Sequence, residues 1–204
     1  MAKYIISRAN ITGIILSGGR ATRMDGQDKG LIELKGQPFI AHVIHRLAPQ
    51  VNHIRINANR NIEAYHKLGQ KFGYPVFTDT NQDFQGPLSG MLAAMKSETQ
   101  HDWLLCVPCD APLFPADLAE RFIRSVNENS RIAVAHDGKW MQPTFCLLHC
   151  SLADSLEQFL ASGERKTGHW MRQQQAINVD FSDQKQAFAN INTPEELQLI
   201  QSLL

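Results

Sequence analysis

Gly13-Ile14-Ile15-Leu16-Ser17-Gly18-Gly19-Arg20-Ala21-Thr22-Arg23-Met24-Asp25-Gly26-Gln27-Asp28-Lys29 joins a short apolar run of strand length to a polar loop with glycines and three cations. In an open α/β sheet, ligands bind outside the carboxyl ends of the strands, where this loop emerges. Gly18 and Gly19 let backbone amides approach a polyphosphate without a Cβ in the way, and Arg20, Arg23 and Lys29 supply mobile positive charge. The loop suits a triphosphate. By composition alone it equally describes a solvated glycine-rich surface loop. Spacing excludes two other phosphate loops, because no G-x-x-x-x-G-K-[ST] occurs and no G-x-G-x-x-G follows the strand.

Apolar runs of strand length recur at residues 12–17, 53–57, 76–78, 103–107, 132–135 and 145–148. Stretches with apolar positions near a 3.6 period separate or follow them, at 39–47, 61–68, 88–96, 116–127, 152–160 and 194–203. That alternation predicts an α/β fold with a largely parallel, doubly wound sheet. Thr193 as N-cap, Pro194 in the first turn and Glu196 form a capping-box pattern, and Ser151 with Asp154 repeats it. Asp137-Gly138 separates two strand-like runs and favours a type I′ hairpin, which puts an antiparallel insert into a mixed sheet.

The 204 residues fit one domain. Lys plus Arg and Asp plus Glu each number 20, so there is no broad positive field for nucleic acid, and phosphate binding must be local. Residues 1–16 are interrupted by Arg8 and Asn10, which leaves neither a signal-peptide core nor a membrane span. A soluble, cytoplasmic protein is expected. Cys106, Cys109, Cys146 and Cys150 lack the spacings of a disulfide framework, and reduced thiols are the default reading. Cys106-Val-Pro-Cys109 matches C-x-x-C, but the second pair lies too far along for a zinc ribbon. His42 and His45 fall three apart on an expected helix without nearby partner ligands.

Two further segments aim chemistry at the same sheet edge. Trp103-Leu104-Leu105-Cys106-Val107-Pro108-Cys109-Asp110 delivers a carboxylate from a buried strand, of the kind that a Mg²⁺ ion bridging nucleotide phosphates needs. An aspartate after a strand is also an ordinary turn-former. Asp79 precedes Gly86-Pro87-Leu88-Ser89-Gly90, a tight turn opening a helix, where Asp79 can accept hydrogen bonds from a purine base or ribose. Asn57, in Ile56-Asn57-Ala58-Asn59-Arg60, is an uncharged base-reading candidate that ordinary turn chemistry explains as well.

Leu16-Ser17-Gly18-Gly19 with Arg23-Met24 and Lys29 resembles the L-x-G-G-x-x-x-R-M…K signature of nucleotide-sugar pyrophosphorylase-like nucleotidyltransferases. The 56–60, 86–91 and 108–112 segments, with Asn190-Ile191-Asn192-Thr193-Pro194-Glu195-Glu196-Leu197, narrow the resemblance to the molybdenum cofactor guanylyltransferase family. The match covers nearly the whole chain. It implies a three-layer, Rossmann-like nucleotidyltransferase fold, with one domain over 1–204, a nucleotide-binding half at about 11–110 and a pterin-binding half at about 111–204.

The resemblance further implies transfer of GMP from GTP to molybdopterin. Leu16, Ser17, Gly18, Gly19, Lys29, Asn57, Asp79 and Asp110 would bind GTP, Asp110 would hold Mg²⁺, Arg23 would stabilise phosphate charge, and Asn190 and Asn192 would lie near the pterin. Arg165 and Lys166 are basic candidates for its phosphates. Implied partners are GTP, molybdopterin or molybdenum cofactor, and proteins of cofactor biosynthesis or molybdoenzyme chaperones, with no nucleic acid and no membrane. Asp25 stands where relatives often have glycine, with Gly26 adjacent to supply the turn, and Ser17 replaces a common alanine. Alternatives are a cytidylyltransferase on the same pterin or another phosphorylated small molecule, a non-catalytic GTP-binding carrier, and a cysteine-based zinc module.

Overall fold

All six residues of the first strand, β1 (Ile11–Leu16), are buried, as a strand covered by helices on both sides requires. The computed structural model describes residues 6–17, 28–79, 86–98 and 100–189, together with Glu196. After β1 come β2 (Glu33–Leu34), β3 (Gln37–Pro38), α1 (Phe39–Leu47), β4 (His53–Asn57), α2 (Ile62–Phe72), β5 (Val76–Phe77) and α3 (Pro87–Ser97). They are followed by β6 (Trp103–Pro108), α4 (Leu118–Ser125), β7 (Ile132–His136), β8 (Met141–His149), α5 (Ala153–Ala161), α6 (Thr167–Gln173) and β9 (Ile177–Asp180).

Seven strands form one sheet in the order β5-β4-β1-β6-β8-β7-β9. The pairs β1–β4, β1–β6, β4–β5 and β7–β9 are parallel, and only β8 runs against its neighbours β6 and β7. Alternate residues along each strand enter different cores. Ile11, Ile15, Leu105 and Val107 pack with Val43 and Leu47 of α1, Tyr65 of α2 and Phe122 of α4. Ile14, Leu16, Leu104 and Cys106 pack with Met91 and Met95 of α3, Leu156 of α5 and Trp170 of α6. The result is the three-layer, mostly parallel mixed sheet expected from the sequence. Gly13 suits the α1 side because a Cβ there would sit 2.9 Å from Leu47 Cδ2.

The antiparallel insert exists, but Asp137-Gly138 does not make a type I′ turn. His136 pairs with Met141, so four residues connect β7 to β8, and of the loop only Gly138 has a positive φ (90°). The Asp137 carboxylate organises this loop by accepting from the backbone N–H groups of Lys139 (2.7 Å) and Trp140 (2.6 Å) and from Gln142 Nε2 (2.7 Å). Positive φ at both central residues occurs instead at Lys35 (51°) and Gly36 (75°), the two-residue connection of β2 to β3. Likewise, Ser151 does not cap α5. Its Oγ lies 2.8 Å from the His149 ring nitrogen, and a single 3-10 turn, Cys150–Leu152, precedes the helix.

Helix α2 runs further than its apolar period suggests and ends at Gly73 in a left-handed conformation. Both α6 and β9 escaped the pattern reading: one has seven residues and the other four, too short for a period to declare itself. The helix expected at 194–203 lies outside the described residues except for Glu196. Cys106 and Cys146 sit opposite one another across β6 and β8, and all four cysteines are free thiols. Burial pushes the Cys150 thiol up to about 12. His42 Nε2 lies 2.8 Å from the Leu34 carbonyl oxygen and His45 packs edge-on against Phe72, so both histidines serve the packing of α1. Among the described residues, no helix is long and apolar enough to cross a membrane.

Leu105 lies fully buried in β6, the central strand of the seven. Leu105→Ala is expected to lower the unfolding free energy by about 2–5 kcal/mol, read by chemical denaturation.

Candidate functional site at the carboxyl edge of the sheet

Buried polar side chains are costly unless they are satisfied or used, so their location is informative. Ser17, Asp28, Asn57 and Asp110 are all buried, and all follow or end a strand at one edge of the sheet, or sit in the loop that leaves it. Parallel pairing sets them side by side: Leu16 is in register with Asn57 on β4 and with Pro108 on β6. Two backbone hydrogen bonds extend the pairing past the strand ends, Ser17 N–H to the Asn57 carbonyl (2.8 Å) and Cys109 N–H to the Leu16 carbonyl (3.1 Å).

Two polar pairs occupy this edge. Lys29, in a 3-10 turn at Lys29–Leu31, reaches across so that Nζ lies 2.8 Å from Asp110 Oδ2. Both side chains keep partial solvent access, so the pair is open to exchange with incoming charges. Asn57 Nδ2 donates to Asp79 Oδ1 at 2.8 Å, and Asn59 Oδ1 accepts from the Asp79 N–H at 2.8 Å. Burial raises the Asp79 carboxyl above its ordinary value, against the lowering effect of the Asn57 and Asn59 contacts.

The start of α3 closes in over Asn57. Gly86 takes a φ of 95°, Pro87 opens the helix, and Gly90 passes so close that a Cβ there would lie 2.3 Å from Asn57 Oδ1 and 3.0 Å from Leu16 Cδ2. Glycine at that position is a steric requirement rather than a helix preference. Ser89 Oγ is buried without a hydrogen-bond partner among the described residues, whereas the buried Ser17 hydroxyl lies close enough to Tyr65 and Cys109 to influence both.

The structure therefore assembles Leu16, Ser17, Lys29, Asn57, Asp79 and Asp110 at one edge, with Lys29 paired to Asp110 and Asn57 to Asp79. Gly18, Gly19, Arg23, Asn190 and Asn192 lie outside the described residues, as do Asp25 and Gly26. Arg165 Nη1 donates to the Leu160 carbonyl at 2.7 Å, which satisfies the end of α5. Pattern reading passed over Asp28, Asn59, Asn61 and Tyr65. Asp28 lies inside the quoted loop, but Tyr65 read as one more apolar position of an amphipathic helix.

Residues 13–177 match the family model of the MobA-like NTP transferase domain. A molybdenum cofactor guanylyltransferase of Shewanella woodyi is 50% identical over 92% of this chain and 94% of its own length. That of Photobacterium profundum is 51% identical over 91% of this chain and 92% of its own. The chain belongs to the molybdenum cofactor guanylyltransferase family. Among solved structures, molybdopterin-guanine dinucleotide biosynthesis protein A from Archaeoglobus fulgidus superposes with a TM-score of 0.77 at 19% identity, covering 94% of this chain and 97% of that one. A 4-diphosphocytidyl-2C-methyl-D-erythritol synthase from Anaerococcus prevotii gives 0.71 at 12% identity, with 96% of both chains covered. These two likenesses establish the nucleotidyltransferase fold.

Within the guanylyltransferase family fold, Gly90 is open to a direct test. An alanine in a helix interior ordinarily stabilises by about 0.5–1 kcal/mol relative to glycine. Gly90→Ala is expected instead to lower the melting temperature, because the new methyl must displace the Asn57 carboxamide.

Proposed function

We propose that this guanylyltransferase transfers GMP from GTP to the terminal phosphate of molybdopterin, giving molybdopterin guanine dinucleotide and pyrophosphate. The observation that carries the reading is the Lys29–Asp110 pair at the carboxyl edge of β1 and β6, beside the Asn57–Asp79 pair. One pair suits the triphosphate and the other the base.

Guanine presents two adjacent donors, N1–H and N2–H, to which an ionised carboxylate is complementary. Asp79, held by Asn57 and Asn59, is that carboxylate in this reading. The phosphates then extend along the β1 loop, where the amides of Gly18 and Gly19 and the side chains of Lys29 and Arg23 would meet them. Lys29 would exchange the Asp110 carboxylate for phosphate oxygen, which leaves that carboxylate to a metal cation.

Mg²⁺ is commonly bound by one or two carboxylates plus substrate phosphates and water. Asp110 is a hard oxygen donor of that kind, and among the described residues no group of three or more His, Cys, Asp and Glu is placed to hold a metal ion without substrate. Asp110 fits as the protein ligand, and the ion when bound would supply Lewis-acid neutralisation of the phosphate charge. The terminal phosphate oxygen of molybdopterin forms the new bond to the α-phosphorus as the bond to the β-phosphate oxygen breaks, and pyrophosphate leaves. That nucleophile is already anionic, so the chain's own work is positioning and charge stabilisation, with no general base required.

In this reading the half at about 11–110 holds nucleotide, and the half at about 111–204, with Asn190 and Asn192, meets the pterin. In the same reading the reaction is cytoplasmic, and the product would pass to molybdoenzymes or their chaperones.

Pyrophosphate release with Mg²⁺ and each of the four nucleoside triphosphates, with and without molybdopterin, tests the assignment. Release is expected with GTP and only with pterin. Release with CTP would reassign the base, and GTP binding without turnover would favour a carrier. Asp110→Ala is expected to abolish Mg²⁺-dependent release, and Lys29→Ala to lose triphosphate affinity and rate while the fold persists; wild-type turnover in the Asp110 variant would sink the metal assignment.

Asp79 makes a pH prediction. Its carboxyl titrates above the ordinary carboxylate value, so acidification removes its charge sooner than that of an exposed aspartate. GTP affinity is expected to begin its acid fall at a higher pH than an exposed aspartate would give, and Asp79→Asn is expected to flatten that fall. The folding linkage runs the other way: a raised folded value gives stability that is present at low pH and lost as pH rises through it.

A further inference from the structure

Asp28 is a carboxylate for which the proposed reaction has no use, yet it is buried and immediately precedes Lys29. Both of its oxygens are engaged by neutral donors. Oδ1 accepts from the Tyr65 hydroxyl at 2.6 Å and from the Gly30 N–H at 3.2 Å, and Oδ2 accepts from Asn61 Nδ2 at 3.1 Å. Tyr65 is fully buried on α2. Gly30 makes room for it: a Cβ there would lie 2.4 Å from the Tyr65 hydroxyl and 3.2 Å from Cys109 Sγ.

This donor set is durable. Burial, reinforced by Cys109 and Asp28, pushes the Tyr65 phenol far above its ordinary value, so the proton stays on the oxygen. Asn61 holds its place from a left-handed backbone, φ 46°, at the start of α2. The carboxylate meanwhile caps the Lys29–Leu31 turn, and the Leu31 N–H donates to the Asp28 carbonyl at 3.0 Å. The backbone on both sides of Lys29 is thereby pinned to α2.

A buried carboxylate without partners draws in whatever cation is near, because an uncompensated buried charge is costly. Lys29 is the next residue in the chain and carries such a cation. Satisfying Asp28 with a phenol, an amide and a backbone N–H leaves the lysine extended to Asp110. We propose that Tyr65 and Asn61 are positioning residues that act through Asp28, holding the Lys29 turn and aiming its ammonium at the nucleotide triphosphate. The proposal rests on the reading that Lys29 meets GTP.

Calorimetric titration of GTP with Mg²⁺, without pterin, tests this on the wild type, Tyr65→Phe, Lys29→Ala and the double variant, with melting temperatures measured alongside. Tyr65→Phe removes one hydrogen bond to a charged group and is expected to weaken GTP binding about tenfold when Lys29 is present. In the Lys29→Ala background the same change is expected to cost nothing, since there is no ammonium left to aim. Equal losses in the two backgrounds would overturn the proposal and leave Tyr65 a structural residue. Asn61→Gly keeps the left-handed backbone while deleting the amide donor. It is expected to show the same dependence on Lys29, and it carries the test should Tyr65→Phe fail to fold. Wild-type protein that binds no GTP would overturn the proposed function and this inference together, whereas tight wild-type binding with additive losses would overturn the positioning role alone.

Discussion

Everything at the site depends on the parallel pairing of β1 between β4 and β6. Parallel neighbours end at the same edge, so the residues that follow three separate strands are delivered within reach of one another without any contact between them in sequence. Leu16 lies between Asn57 and Pro108, and the two hydrogen bonds beyond the ladder, from Ser17 and from Cys109, keep the chain in register as it turns outward. A one-residue slip in either pairing would exchange the faces of the strand and send Ile14 and Leu16 into the wrong core.

The polar groups at that edge form a chain of compensation. Asp110 and Lys29 neutralise one another, Asp28 is satisfied by neutral donors, and Asp79 is held by two asparagines. The unequal treatment of the acids is chemically sensible. Asp110 is paired with a cation that can move, Asp28 is closed off, and Asp79 has lost enough hydration for its carboxyl to be raised. Glycine serves the same edge sterically, with Gly90 admitting the Asn57 amide and Gly30 admitting the Tyr65 hydroxyl.

The far side of the sheet solves a different problem. The reversed strand β8 lets β7 and β9 extend the sheet beyond β6, and its ladder with β7 shifts register between Val134 and Ala135, close to Pro143, which lacks a ladder donor. On the α4 side, Arg121 ties this region together through Asp117, both oxygens of Asp183 and the ring of Phe181. Superpositions at 12–19% identity show that the overall fold is shared by chains of very different sequence.

Fold class was legible because it rests on period. Apolar runs at 12–17, 53–57 and 103–107 are of strand length and alternate with longer amphipathic stretches, which declares buried strands between helices. Lys29, Asn57, Asp79 and Asp110 were legible as candidates because they fall in polar segments at the expected carboxyl edge of the sheet and match the motifs of the family, although turn chemistry alone would account for Asn57 and Asp110 as well. What they pair with was not. Asp137-Gly138 carries the local signature of a tight turn, yet the turn with two positive φ values formed at Lys35-Gly36, where the short β2–β3 ladder closes over two residues. Tyr65 gave no sign of its role, because an amphipathic pattern records that a side chain is buried and not where its hydroxyl points. Burial depends on local periodicity, which one segment carries by itself; the target of a buried polar atom depends on which distant segment arrives beside it, and that is settled only when the layers pack.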